Sequence, residues 1–240
     1  MINKCKLCLQ NKKLCNSHII SEFLFKPGYD EKHRLKELKA NTGKSKYIQK
    51  GIREYLLCSN CENLISKWEK YSSVLLENMK INEKMEAVYL KERNYKYFKL
   101  FHLSILWKAS IANGSEFCSV SLGHHEEKLR KKLLNEDAGQ SDFYPIIGRM
   151  LVDDKKRTDG FIIAPVSFKQ DSFRVYTFIF GSCQWFYFTG SHSIEQSQIS
   201  INEFLLKENG SMILPIYPWN ENPSVKNFFE HFYYNKNITK

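Results

Sequence analysis

The chain has 240 residues, 42% apolar and 14% aromatic, with 36 Lys+Arg against 26 Asp+Glu and a formal net charge of +10. Such a composition supports a packed core in one large domain or two small ones, and 11 glycines and 6 prolines are too few for a fibrous or linker-rich chain. No run of about 18 apolar residues occurs, which excludes a membrane-spanning helix. The polar opening Met1-Ile2-Asn3-Lys4 carries no apolar signal segment, so a soluble cytoplasmic protein is expected.

The charge is concentrated at one end. Residues 1–80 hold 16 basic and 8 acidic side chains, whereas residues 81–240 hold 20 and 18. A local excess of this kind attracts polyanions, because each neutralised phosphate releases condensed counterions. A merely soluble basic surface would have the same composition, so the motifs must decide between them.

In chain order the first motif is Cys5-Lys6-Leu7-Cys8, and its counterpart is Cys58-Ser59-Asn60-Cys61, with 49 residues between the two pairs. A Cys-x-x-Cys turn directs two thiolates at one metal ion, and two such turns close a tetrahedral zinc site. A disulfide reading is weak in a reducing compartment, and a redox motif needs only one such turn. Structural zinc is therefore expected on Cys5, Cys8, Cys58 and Cys61. Cys15 is a spare, while Cys118 and Cys183, set among apolar neighbours, read as buried small hydrophobes.

Between the two pairs, Ser17-His18-Ile19-Ile20 places a histidine before two β-branched residues, as on a strand. The aromatic stretch Phe23-Leu24-Phe25 and a turn at Lys26-Pro27-Gly28 follow. Residues 29–51 are polar and carry Lys32, Arg34, Lys36, Lys39, Lys44, Lys46 and Lys50, as an exposed insertion meeting a phosphate backbone would. After the second pair, Leu64, Ile65, Trp68 and Tyr71 recur at helical spacing.

The order knuckle, strand with histidine, basic insertion, knuckle, helix is similar to the zinc-containing branch of the HNH endonucleases, which use a ββα-metal finger. The resemblance covers roughly residues 3–72. It implies that His18 is the general base that activates water against a phosphodiester. It implies further that a divalent cation, Mg²⁺ or Mn²⁺, is held at the start of the helix by Glu62 or by Asn63, with Ser17 in the place of the usual acidic partner. Arg53 falls where the family has a middle asparagine, and an arginine there would clamp a phosphate. Duplex DNA is favoured over RNA as the nucleic-acid partner, and defence against viruses or mobile elements is an associated role.

The remainder predicts architecture. A core helix is expected over Tyr95–Ala112, with His102 packed inside it, and a second helix runs to Leu134 before Gly139. The His124-His125-Glu126 cluster lies on that helix, where neighbours in sequence do not share a face. Beyond Tyr144 the period moves toward two, with strands at Phe161–Val166, Phe173–Phe180, Gln184–Phe188 and Met212–Tyr217, the second and third forming a hairpin through Gly181-Ser182-Cys183. A last helix is expected over Val225–Tyr234. The expected fold is α+β: a four-cysteine ββα-metal finger in residues 1–80, then an accessory domain in 81–240 of helices and a mainly antiparallel sheet. That second part would engage another copy of the chain or a protein partner. A second reading keeps the zinc but not the catalysis, because Ser17 is not acidic and Arg53 is not an amide: a zinc-stabilised nucleic-acid-binding or protein-interaction module.

Overall fold

A computed structural model describes all residues except 1, 40, 41, 83, 197, 198, 239 and 240. The N-terminal third is built on three antiparallel strands, β1 (Ile2–Lys4), β2 (Asn11–His18) and a strand that arrives much later in sequence, with β2 central. Two single-turn 3₁₀ segments, Glu22–Leu24 and Lys26–Gly28, follow β2. The lysine-rich insertion is not wholly irregular. It folds back on itself as a hairpin of β3 (Leu35–Lys39) and β4 (Lys44–Ile48), anchored where buried Leu35 opposes Ile48. The third strand, β5 (Arg53–Cys58), pairs with β2 so that Leu14 faces Cys58 and His18 faces Arg53.

Helix α1 (Ser59–Glu77) starts directly after Cys58. Its buried stripe of Cys61, Ile65, Trp68, Ser72, Leu75 and Leu76 contains Ile65 and Trp68 of the expected set, with Leu64 and Tyr71 half-buried beside it, and continues about one and a half turns past Tyr71. Strand β6 (Ala87–Leu90) leads to α2 (Tyr95–Ile111), whose residues from Phe98 to Ala109 are all buried. A helix apolar on every side belongs in a core, and α2 occupies it between α1 and α3 (His124–Leu134). The Asn94 side chain caps it by accepting the Tyr97 N–H at 3.0 Å. His102 is fully buried within it, its Nδ1 2.8 Å from the Tyr187 hydroxyl, and burial lowers its pKa to about 3.

The second half adds β7 (Ile146–Asp153), β8 (Lys156–Arg157), β9 (Ile163–Gln170), β10 (Phe173–Phe180), β11 (Cys183–Thr189), β12 (Met212–Pro218) and the helix α4 (Pro223–Ile238). Six of these strands and β6 form a seven-stranded sheet in the order β6-β12-β7-β11-β10-β9, with β8 paired to β7. All pairings are antiparallel except β12 with β7. The predicted hairpin is present: Phe180 opposes Cys183, and Gly181 and Ser182 both take left-handed φ values of 59° and 60°, as a two-residue primed turn requires. One apolar core runs from Cys5 and Leu7 of the first segment through α1 and α2 to Trp185 and Leu214 of the sheet. One side chain departs from expectation: Cys118 is exposed, because the preceding 3₁₀ turn, Ser115–Phe117, buries Phe117 in its place.

Candidate metal centre and histidine cluster

The two knuckles meet because β2 and β5 pair. The turn after β1 bends at Leu9, whose φ is +62°, with Leu9 N–H bonded to the Cys5 carbonyl at 2.9 Å. The Lys6 N–H reaches the Leu56 carbonyl at 2.9 Å, which draws the first knuckle against the end of β5. The Sγ atoms of Cys5, Cys8, Cys58 and Cys61 consequently lie within 4.8 Å of one another, with Cys8 and Cys58 3.9 Å apart. Four thiolates around a tetrahedral zinc with bonds of about 2.3 Å would stand roughly 3.8 Å apart. Cys5 Sγ also accepts the Cys58 N–H at 3.3 Å, the kind of backbone bond that steadies a metal-bound thiolate. Burial pushes the Cys58 thiol up, but the Cys61 N–H and the neighbouring thiols outweigh it and hold it at about 7. The residues present fit a structural metal ion, and soft thiolates favour zinc. Cys15, opposite Leu57, stands outside this set.

At the far end of the same strand pair lies a second polar centre. His18 closes β2, and Glu22, four residues on in the following 3₁₀ turn, meets its Nε2 with Oε2. The same Oε2 takes the Arg53 guanidinium at 3.1 Å, and Glu22 Oε1 accepts the Tyr29 hydroxyl at 2.6 Å. Next to this group, Glu69 of α1 accepts hydrogen bonds from Ser21 Oγ at 2.6 Å and from Lys108 Nζ at 3.1 Å. Strand and helix geometry bring these together. His18 lies four positions beyond Leu14, the partner of Cys58, roughly 13 Å along a strand, and Glu69 lies eleven positions beyond Cys58, roughly 16 Å along a helix.

The electrostatics favour a neutral imidazole. Burial lowers the pKa of His18, the Arg53 and Lys108 cations lower it further, and Glu22 opposes them. Burial would raise Glu22, but the Tyr29 hydroxyl, His18 and Arg53 together hold it below the usual carboxylate range. Tyr29 in turn is pushed up to about 12 by burial and by the Glu22 charge. Glu69 is likewise held low, by Lys108 and Ser21 against its own burial.

The other sequence candidates stand apart from this group. Ser17 is buried, and its hydroxyl accepts the Leu57 N–H at 3.3 Å and donates to the Cys15 carbonyl at 3.4 Å, so it serves the strand ladder. Glu54, beside Arg53 in sequence, binds the Asn113 and Gly114 N–H groups at 2.8 and 3.0 Å, past the end of α2, rather than Arg53. Glu62 sits in the first turn of α1 with Oε1 buried and without a hydrogen-bond donor among the described residues. Asn63 is exposed, on a shallow groove with Cys8, Asn60 and Lys67. No hydrogen bond or ion pair joins Glu62 or Asn63 to His18 among the described residues. His125 is bonded through Nδ1 to the Tyr144 hydroxyl at 2.9 Å, and Glu126 accepts Ser110 Oγ at 3.3 Å, so these two side chains serve packing, while His124 is exposed.

Sequence reasoning did not find Ser21, Glu22, Tyr29, Glu69 and Lys108. The signal for Glu22 was its four-residue spacing from His18; for Glu69 it was its place seven residues, two turns, beyond Glu62 on α1. Lys108 gave no local signal, since it lies in the buried helix α2 and reaches the group only through the packing of α1 on α2. No helix is long and apolar enough to cross a membrane. No protein-family model matches the chain, and no curated protein or solved structure matches it.

Proposed function

We propose that the chain is an HNH-like nuclease that hydrolyses phosphodiester bonds, with duplex DNA its favoured substrate and a four-cysteine zinc as its scaffold. The ordered strand pair, the helix that follows and the four thiols are what a ββα-metal finger would need. The observation that carries the reading is the Glu22–His18–Arg53 group, a neutral-biased imidazole fixed by an ionised carboxylate beside a guanidinium. With Nε2 donating to Glu22, the imidazole lone pair lies on Nδ1, and Nδ1 is the atom that takes the proton from an attacking water. Glu22 holds the tautomer and steadies the imidazolium that forms. Arg53 presents a rigid fork of donors suited to a phosphate as charge develops on its oxygens.

The resemblance also implies a divalent cation. Glu22 is the carboxylate already beside His18 and would hold such an ion there, whereas Glu62 and Asn63 make no contact with His18 among the described residues. Such an ion supplies Lewis-acid stabilisation of the phosphorane and the leaving oxygen when bound. The lysines of β4 and the loop after it would grip the backbone. A place in antiviral or mobile-element defence rests on the resemblance.

The test is cleavage of supercoiled plasmid with Mg²⁺ or Mn²⁺ by the wild type and by His18→Ala. The expected loss is roughly 10²–10⁴ in rate, the ordinary worth of a general base, with duplex binding retained. One observation favours the non-catalytic module instead: Ser17 stands where the acidic partner belongs, and its hydroxyl is committed to the strand ladder. Wild-type protein that binds DNA without cutting it under either ion would decide for that reading.

A further inference from the structure

One cavity lies away from both centres, between the C-terminal half of α1 and strand β6. It is a groove of about 840 Å³. Val74, Leu75, Met79 and Met85 line its floor, together with Val88 and Leu90 of β6. Lys67, Lys70, Lys80 and Arg93 line its rim, all four exposed. None of the four joins an ion pair among the described residues. Apart from Tyr71 and Tyr89, every titratable residue on the groove is therefore a cation without an ion pair among the described residues.

The groove follows the edge of the sheet. Val88, Tyr89 and Leu90 all line it, although alternation sends Tyr89 to the opposite face from its neighbours. Three consecutive strand residues border one cavity only when it runs beside their backbone. β6 is the terminal strand, hydrogen-bonded to β12 on one side, and no described strand pairs with its other side. An open edge is a template for another strand, and proteins ordinarily cover or charge it. Here it is left beside an aliphatic trough with Tyr89 60% and Val74 56% exposed.

We propose that this groove docks an extended, acidic segment of a partner protein, which adds as a strand along β6. Its backbone would complete the open ladder. Alternate apolar side chains would enter the Val74, Leu75, Met79 and Met85 trough, where flexible methionines adapt to varied shapes. Its carboxylates would meet Lys70, Lys80 and Arg93. A single-stranded nucleic acid is disfavoured, because Tyr71 is packed edge-on against Tyr97 and its hydroxyl accepts the Asn94 N–H, which leaves Tyr89 as the one exposed ring on the groove, and a run of bases has no backbone ladder to complete.

The test is selection of peptides from a random twelve-residue display library on the full-length protein, followed by fluorescence anisotropy with the enriched peptides. The proposal expects enriched sequences that alternate apolar with acidic residues and bind wild type in a salt-sensitive way. They should lose at least tenfold in affinity on Lys70→Glu/Arg93→Glu, a surface variant whose circular dichroism and plasmid cleavage should match wild type. On binding, the amides of β6 should gain hydrogen-exchange protection. Enrichment of basic or uncharged peptides, no enrichment, affinity indifferent to the double variant, or displacement of the peptides by oligothymidine would each overturn it.

Discussion

His18 and Arg53 face one another across β2 and β5, and both meet the same oxygen of Glu22. The carboxylate is thereby shared between a base and a cation, and each controls the other. Arg53 lowers the pKa of His18 directly and also divides the negative charge that would otherwise stabilise imidazolium.

A pH dependence follows from that sharing. Catalysis by a neutral His18 should fall on the acid side, with the limb below the ordinary histidine value of 6.5 because the pKa is lowered. The sign for folding is the same: a depressed histidine favours the fold above its unfolded pKa, and that contribution is lost as pH falls through the lowered value. Arg53→Gln removes the cation, so the acid limb of the single-turnover rate should move to higher pH. A limb that stays in place would mean that Arg53 does not act on the base.

The ion pair of Glu69 and Lys108 gives an asymmetric stability prediction. Lys108 has only 3% of its side chain exposed, whereas Glu69 retains 23% and a second partner in Ser21. Glu69→Ala strands a buried ammonium and should cost roughly 3–5 kcal/mol. Lys108→Ala leaves a carboxylate that water reaches, and should cost about 1–3 kcal/mol. Urea denaturation of both single variants and the double variant measures this, and the double should cost less than the sum.

The zinc prediction tests the scaffold separately from the chemistry. Elemental analysis should find about one zinc per chain, and Cys58→Ser should be largely insoluble, since such small sites draw roughly 10–16 kcal/mol of apparent binding into folding. Cys15→Ser should leave both metal content and melting unchanged, because Cys15 stands outside the four-thiol set. Metal-free wild type that melts normally would remove zinc from the account.

What was legible in the sequence was whatever rests on local spacing. The two Cys-x-x-Cys pairs, the stripe on α1, the buried helix α2 and the β10–β11 turn all announce themselves within a few residues. Strand β7 does not, although it lies centrally in the sheet. Buried along most of its length, Ile146–Asp153 shows no clean alternation, and Gly148 interrupts it. The glycine is there because Trp185 fills the space: a Cβ at 148 would lie 2.7 Å from that ring. Gly148→Ala should cost about 1–3 kcal/mol as overpacking, read as a lowered melting temperature with zinc content unchanged. The histidine cluster was half legible for the same reason. His18 and Arg53 are paired by strand register, but Glu69 and Lys108 arrive from two helices whose packing no local pattern encodes.

The lysines of the insertion should separate binding from chemistry, and the structure now ranks them. Lys46 lies 3.2 Å from Glu37 on the facing strand, and Lys39 lies 3.7 Å from Glu116, so part of each charge is already balanced. Lys44 and Lys50 are exposed and join no ion pair among the described residues. Each phosphate contact adds about one unit to the slope of log affinity against log salt. Lys44→Ala and Lys50→Ala should each flatten that slope by about one unit in duplex-binding titrations, while Lys46→Ala should flatten it by less. Cleavage of saturating substrate should stay near the wild-type rate in all three, because none touches His18. A slope that falls equally for Lys46 would mean that Glu37 releases it on binding. A slope unmoved by any of the three would place the nucleic acid on another face.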